Sequence, residues 1–268
     1  MALAVPYTLS PSKVASFKGC ALAFRFSVID KLPEPPSPAA ARGTLVHRAL
    51  ERLHCRPADE RTVDAALVDL ALATDEVLGS DEYRALALED RDEFLAGAAD
   101  LVRKYFRLED PRTVHAIGLE LKMEAQIGSL RLRGIIDRLE LDEHGELVVT
   151  DYKTGKAPNV RYEQGRLDGV QFYAFLCESM LGRRPARIQL LHLADPVAIV
   201  ATPSDQSVRG LQGRVGAIWQ AVHRACERED FRPNPGPLCE WCSFKEFCPA
   251  FGGDPAAARG QLFDVSAA

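Results

Sequence analysis

Two apolar runs in this chain carry acids. GIIDRLEL places Asp137 inside one of them, and ELVVTDYKTG places Asp151 near the end of the next, 14 residues on. Lys153 follows Asp151 by two positions. Residues two apart on a strand project to the same face, so Asp151 and Lys153 point together, and a hairpin between the runs can bring Asp137 beside them. Two converging carboxylates suit Mg²⁺ or Mn²⁺, hard cations that take oxygen ligands and keep several waters. An adjacent ammonium can orient or deprotonate a bound water and balance charge on a phosphate. The plain alternative is a surface ion pair between Asp151 and Lys153. Against it stand the apolar neighbours Ile135, Ile136, Leu147, Val148 and Val149, which set the acids at the edge of a buried sheet, where unpaired carboxylates are costly.

Other side chains could join this group. His47 lies in RGTLVHRALERL, on a segment with helical apolar spacing, and Gly43 four residues earlier permits close backbone approach. Glu120 lies on the run before Asp137 and offers a third carboxylate, although an exposed strand acid would look the same. Arg131, Arg133, Arg138, Lys153, Lys156, Arg161 and Arg166 gather around the two acids and could together face phosphate.

A second cluster is made of thiols. Three of the seven cysteines form C-x2-C-x5-C near the end of the chain, at Cys239, Cys242 and Cys248. Thiolate ligation suits zinc or an iron–sulfur cluster, and a fourth ligand is needed. Cys20, beside Phe24 and Phe26, is a docking point for that segment, whereas Cys177 reads as a small core residue. An odd cysteine count makes disulfides a poor default.

The elements that position these groups follow from pattern. Ser10-Pro11 signals a helix start. PEPPSP at 33–38 cannot continue a helix. Helical periodicity returns over about 39–53, and two acidic amphipathic stretches follow at about 61–78 and 81–108. After Pro111 the pattern turns to strands at 114–125, 130–141 and 146–152, a meander broken by Gly128 and by Asp142–Gly145. A helix over about 162–181, strands near 186–193 and 197–202 and a helix over about 204–228 precede the cysteine-bearing tail. The whole reads as one domain over 1–268: a helical part at about 39–110, an α/β core at about 111–230, and a terminal segment at 236–250 that pairs with Cys20.

Composition bounds the classes. The 268 residues are 47% apolar, 26% charged and 7% aromatic, with a net charge of −5. That balance excludes a protein coated in positive charge for indiscriminate nucleic-acid binding, though not a local basic channel. No apolar stretch approaches the roughly 20 residues of a membrane span, and the first residues lack the pattern of a signal peptide, so a cytoplasmic protein is expected. No Gly-x4-Gly-Lys-Ser/Thr loop is present, so the chain is not itself an ATP-driven motor.

Taken in order, Gly43-x3-His47, Gly134-x2-Asp137-Arg138, Asp151-Tyr152-Lys153-Thr154-Gly155 and Cys20 with Cys239-x2-Cys242-x5-Cys248-Pro249 resemble the RecB-type branch of the PD-(D/E)XK nucleases, in particular its iron–sulfur members among CRISPR-associated exonucleases and the AddB nuclease domain. The resemblance implies an α/β restriction-endonuclease-like core, a mixed central sheet flanked by helices, with an N-terminal helical region and a C-terminal clasp. It implies His47, Asp137, Asp151 and the Tyr152 carbonyl as ligands to Mg²⁺ or Mn²⁺, and Lys153 as the group that positions the attacking water. It also implies a structural [4Fe–4S] cluster on Cys20, Cys239, Cys242 and Cys248. The family's Gln-x3-Tyr is altered here: Gln171 is followed by Tyr173 and Phe175, so Gln171, Arg161 and Arg166 are the better expected DNA contacts and Tyr173 a weaker one. The implied activity is DNA exonuclease action on single strands or duplex ends, alone or with a separate helicase or a CRISPR integration complex. A non-catalytic DNA-end-binding or assembly module is the alternative.

Overall fold

The computed structural model describes residues 3–157 and 163–258, without the side chains of 163–168 and 170. The chain divides into two compact units built from interleaved segments: Pro36–Glu124 with Gly134–Val208, and the remaining segments before, between and after them.

The larger unit holds the helical part and most of the sheet. Helix α3 (Pro38–Cys55) starts where Ser37 Oγ accepts the Ala40 amide and Pro38 takes the first turn. Its face with Leu45, Val46, Ala49, Leu50 and Leu53 is fully buried. Helix α4 (Val63–Leu78) is capped by Thr62, and α5 (Arg91–Tyr105) by Asp90. All three pack in one apolar cluster that also takes Tyr152 and Leu191 from the sheet. The expected helix from residue 81 is a correction. Residues 81–90 form turns that tuck Tyr83 into the core, where its hydroxyl meets Thr44 Oγ1 at 3.0 Å, and α5 starts only at the Asp90 cap.

The strands are β2 (His115–Ile127), β3 (Leu130–Leu141), β4 (Leu147–Lys153), β5 (Arg187–His192) and β6 (Val197–Ala201). β2 pairs with β3, β3 runs antiparallel to β4, β4 parallel to β5, and β5 antiparallel to β6. A mixed sheet with helices is the architecture implied by the sequence resemblance. Leu147–Tyr152 is buried throughout, as a central strand covered on both faces must be. Ile136 is buried, but Ile135 is 46% exposed, so the apolar edge is less complete than the sequence suggests. Helices α6 (Glu163–Leu181) and α7 (Asp205–Arg228) complete the chain order.

In the smaller unit β1 (Thr8–Leu9) lies parallel to the first residues of β3, with Leu9 opposite Leu132. Helix α1 (Pro11–Gly19) is capped by Ser10, and Cys20 links it to α2 (Ala21–Phe24). Phe26 packs against Phe244 and Phe247 at ring distances of 5.5 and 6.0 Å. Among the described residues no helix is long and apolar enough to cross a membrane.

Arg138 is a second correction. It belongs to no phosphate-facing patch, because its side chain is wholly buried in the larger unit. Its guanidinium ion-pairs with Glu109 and with Glu140 at 2.6 Å, and donates to the Tyr152 hydroxyl at 2.8 Å and to Thr150 Oγ1 at 3.1 Å. Glu109 sits on the loop after α5, Glu140 on β3, and Thr150 and Tyr152 on β4, so one cation joins helical layer to sheet. His54 lies within 3.0 Å of it, and burial together with Arg138 pushes the imidazole pKa down to about 2, keeping it neutral.

Arg138→Met leaves Glu109 and Glu140 without their cation. Removing one partner of a buried pair costs about 3–5 kcal/mol, so the urea midpoint should fall accordingly. A loss below about 1 kcal/mol would mean that the two carboxylates find other solvation.

Candidate metal centre

The β3–β4 ladder pairs Arg138 with Thr150 as its last register toward Asp137 and Asp151. Just past that point a side chain replaces the ladder: Asp137 Oδ2 accepts the Tyr152 amide at 2.7 Å. The Tyr152 carbonyl oxygen lies 3.1 Å from His47 Nε2. Alternation along β4 then sorts the chemistry. Thr150 and Tyr152 face the Arg138 network, while Asp151 and Lys153 face the other way.

His47, Glu120 and Asp137 converge, with one ligand atom from each lying within 4.8 Å of the others. His47 Nδ1 is 3.5 Å from Asp137 Oδ2. With its proton on Nε2, the ring donates to the Tyr152 carbonyl and leaves the Nδ1 lone pair for a cation, the arrangement in which a backbone acceptor fixes a ligating imidazole. Two carboxylates and one imidazole make a site for a divalent cation of the Mg²⁺ or Mn²⁺ type. Beside it a cavity of about 330 Å³ is lined by Gly43, Thr44, His47, Arg48, Glu51 and Glu120.

Glu120 reaches the site through unusual backbone. Its φ is +45°, left-handed for a non-glycine residue inside a strand. The exposure pattern of β2 shifts phase there: before it Ala116 and Gly118 are the less exposed residues, after it Met123 and Ala125 are buried. That is the behaviour of a bulge. The conformation costs on the order of 1–3 kcal/mol, which the rest of the sheet must offset.

The electrostatics favour a cation. Burial, then Asp137 and Glu51, raise the Glu120 pKa to about 7, against the lowering influence of His47 and Arg48. Burial opposes charging His47, but the carboxylates of Asp137, Asp151 and Glu120 outweigh it and hold the imidazole above its ordinary value. Burial and the charge of Asp137 likewise raise Asp151, with Lys153 pulling the other way.

The expected residues are distributed as follows. Asp151 is 3% exposed and lies outside the converging group of three: Oδ2 is 2.5 Å from Lys153 Nζ, and Oδ1 accepts the Tyr173 hydroxyl at 3.1 Å. Gln171 Oε1 accepts Ser207 Oγ at 2.6 Å. Arg161 lies outside the described residues, as does the side chain of Arg166. Cys20, Cys239, Cys242 and Cys248 line a single cavity in the smaller unit, together with Phe26, Phe244 and Phe251. Sequence reasoning gave Glu120 little weight because a left-handed glutamate carries no sequence signal.

A sequence model of the PD-(D/E)XK nuclease superfamily matches residues 8–249, which include every residue of this cluster. The chain belongs to the PD-(D/E)XK nuclease superfamily. Among curated proteins it is similar to the Gene 69 protein of Mycobacterium phage L5, 26% identical over 136 residues, which is 50% of this chain and 44% of that protein. The chain therefore matches less than half the length of that relative. Among solved structures it is similar to a candidate exonuclease of Eubacterium rectale at a TM-score of 0.56 and 11% identity, covering 88% of this chain and 87% of that one. At that identity the likeness is one of fold, and it agrees with a PD-(D/E)XK core.

A cation at this centre must displace protons from Glu120 and His47. Glu120 is mostly protonated below its pKa of about 7, so Mn²⁺ affinity should fall by roughly tenfold from pH 8 to pH 6 through this group alone. Glu120→Gln should weaken binding at pH 8 and flatten the pH dependence. Mn²⁺ titration followed by electron paramagnetic resonance reads both, and equal affinity at pH 6 and pH 8 would contradict this electrostatic picture.

Proposed function

We propose that this superfamily member is a metal-dependent DNA exonuclease of RecB type, fastened by a structural [4Fe–4S] cluster. The observation that carries the nuclease reading is the convergence of His47, Glu120 and Asp137 next to a lysine ion-paired with Asp151.

Bound by His47, Glu120 and Asp137, Mg²⁺ or Mn²⁺ supplies Lewis acidity toward a phosphodiester and lowers the pKa of water. Lys153 Nζ hydrogen-bonds the attacking water and lends positive charge to the phosphoryl oxygens as negative charge builds on them. Asp151 holds that ammonium in place. Gln171, with its carbonyl oxygen taken by Ser207, retains two amide hydrogens for the phosphate backbone. The substrate is DNA, single-stranded or with duplex ends. A separate helicase or integration complex would supply unwinding.

The four cysteines line one cavity, and a thiol donor set of this kind suits an iron–sulfur cluster, with zinc the alternative. Cys20 Sγ accepts the Ala23 and Asn234 amides, both at 3.5 Å, and Cys239 Sγ accepts the Gly236 amide at 3.3 Å. Such donors stabilise charged sulfur. Burial raises the Cys242 thiol, the Phe244 amide opposes this, and the neighbouring Cys20, Cys239 and Cys248 raise it further.

End-labelled single- and double-stranded DNA, followed in time with Mg²⁺ and with Mn²⁺, tests the activity. Lys153→Ala or Asp151→Ala should lower degradation by about 10²–10⁴-fold with the fold retained, and undiminished activity in both would overturn the assignment. Anaerobically purified protein should be coloured and hold iron with acid-labile sulfide. A colourless protein with stoichiometric zinc would overturn the cluster and leave the nuclease reading standing.

A further inference from the structure

The Asp151 carboxylate has two oxygens and two unlike donors. Lys153 Nζ holds Oδ2 at 2.5 Å from the same strand, and the Tyr173 hydroxyl donates to Oδ1 at 3.1 Å from α6. With the carboxylate itself buried, rotation about its last bond would break both contacts. Lys153 depends on this arrangement. Its side chain is 37% exposed on a flexible four-carbon stem, and among the described residues its ion pair is with Asp151.

Room for the phenol is made on the facing strand. A Cβ added to Gly134 would stand 2.8 Å from Leu176 Cδ1 and 3.4 Å from Tyr173 Cε1. The first distance is closer than packed carbons approach. A glycine three residues before Asp137 thus leaves this part of β3 bare, and the Leu176 and Tyr173 side chains of α6 pack against it. Phe175, four residues after Gln171, is 6% exposed and brings no polar atom. Burial and the charge of Asp151 hold the Tyr173 phenol well above its usual range, so it remains a neutral donor wherever the carboxylate is ionised.

We propose that Tyr173 is a positioning residue: its hydroxyl locks Asp151, and the locked carboxylate fixes Lys153 where the attacking water must stand. The inference rests on the nuclease reading for its kinetic consequence and on the Gly134–Tyr173–Asp151–Lys153 packing for its structural one. It replaces the expectation that Tyr173 touches DNA.

Tyr173→Phe keeps the ring against Gly134 and deletes only the donor. With the wild-type Tm retained, kcat on end-labelled DNA at saturating Mn²⁺ should fall about tenfold or more, as sub-ångström loosening of a reacting group does. KM for DNA should stay within twofold. In the cation-free protein, acylation of Lys153 by an N-hydroxysuccinimide ester, quantified by peptide mass spectrometry, should rise at least threefold. A raised KM with unchanged kcat would mean that Tyr173 contacts DNA and would overturn the proposal, as would wild-type values of both kcat and Lys153 labelling. If the wild-type protein degrades no DNA, the nuclease reading fails by itself. The labelling result then decides the role of Tyr173 alone: unchanged labelling rejects it, and faster labelling retains it.

Discussion

The larger unit is organised around a positive charge in its interior. Arg138 has no access to solvent, and a lone guanidinium there would be prohibitively expensive. It is tolerable because Glu109, Glu140, Thr150 and the Tyr152 hydroxyl are all delivered to it. Those partners come from the end of the helical layer and from two strands, so satisfying one residue fixes the seating of helices on sheet. A network of this kind contributes to a single arrangement as much as to net stability. Tyr152 transmits the constraint. Its ring and hydroxyl belong to the Arg138 side, its amide is taken by Asp137, and its carbonyl faces His47.

The metal centre is the reverse of this interior. There the excess is negative, and beside burial the charge of Asp137 disfavours the ionisation of both Glu120 and Asp151. Lys153 and His47 offset part of that repulsion, and a divalent cation would offset the rest. Asp137 and Arg138, adjacent on β3, thus project to opposite faces into opposite problems. One face solves its excess with protein groups. The other leaves it for a cofactor and a phosphate-bearing substrate.

What the sequence made legible was whatever depended on local period. Asp151 and Lys153 share a face by strand alternation, Ser10 caps the helix that Pro11 opens, and the meander breaks where Gly128 and Gly145 take positive φ. Long-range partners were less accessible. Arg138 looked like one of several surface arginines because nothing local announces Glu109, 29 residues earlier, as its acceptor. Residues 81–90 carry helical apolar spacing yet form turns, since burying Tyr83 wins over continuing the helix. Tyr173 meets Asp151 across the packing of α6 on the sheet, a fact of contact between two elements. Glu120 was underweighted for a backbone reason, its left-handed φ.

That last feature bears on how the chain can change over generations. At position 120 glycine would adopt the observed φ freely, whereas glutamate does so under strain. Selection for a more stable strand therefore pulls toward a residue with no side chain, and only selection for what the carboxylate does can hold the acid there. Drift to glycine at this position would register as a gain in folding assays and as a loss at the cation site. In a descendant that no longer needed the site, Glu120 would be among the first residues to go, well before the apolar core around it.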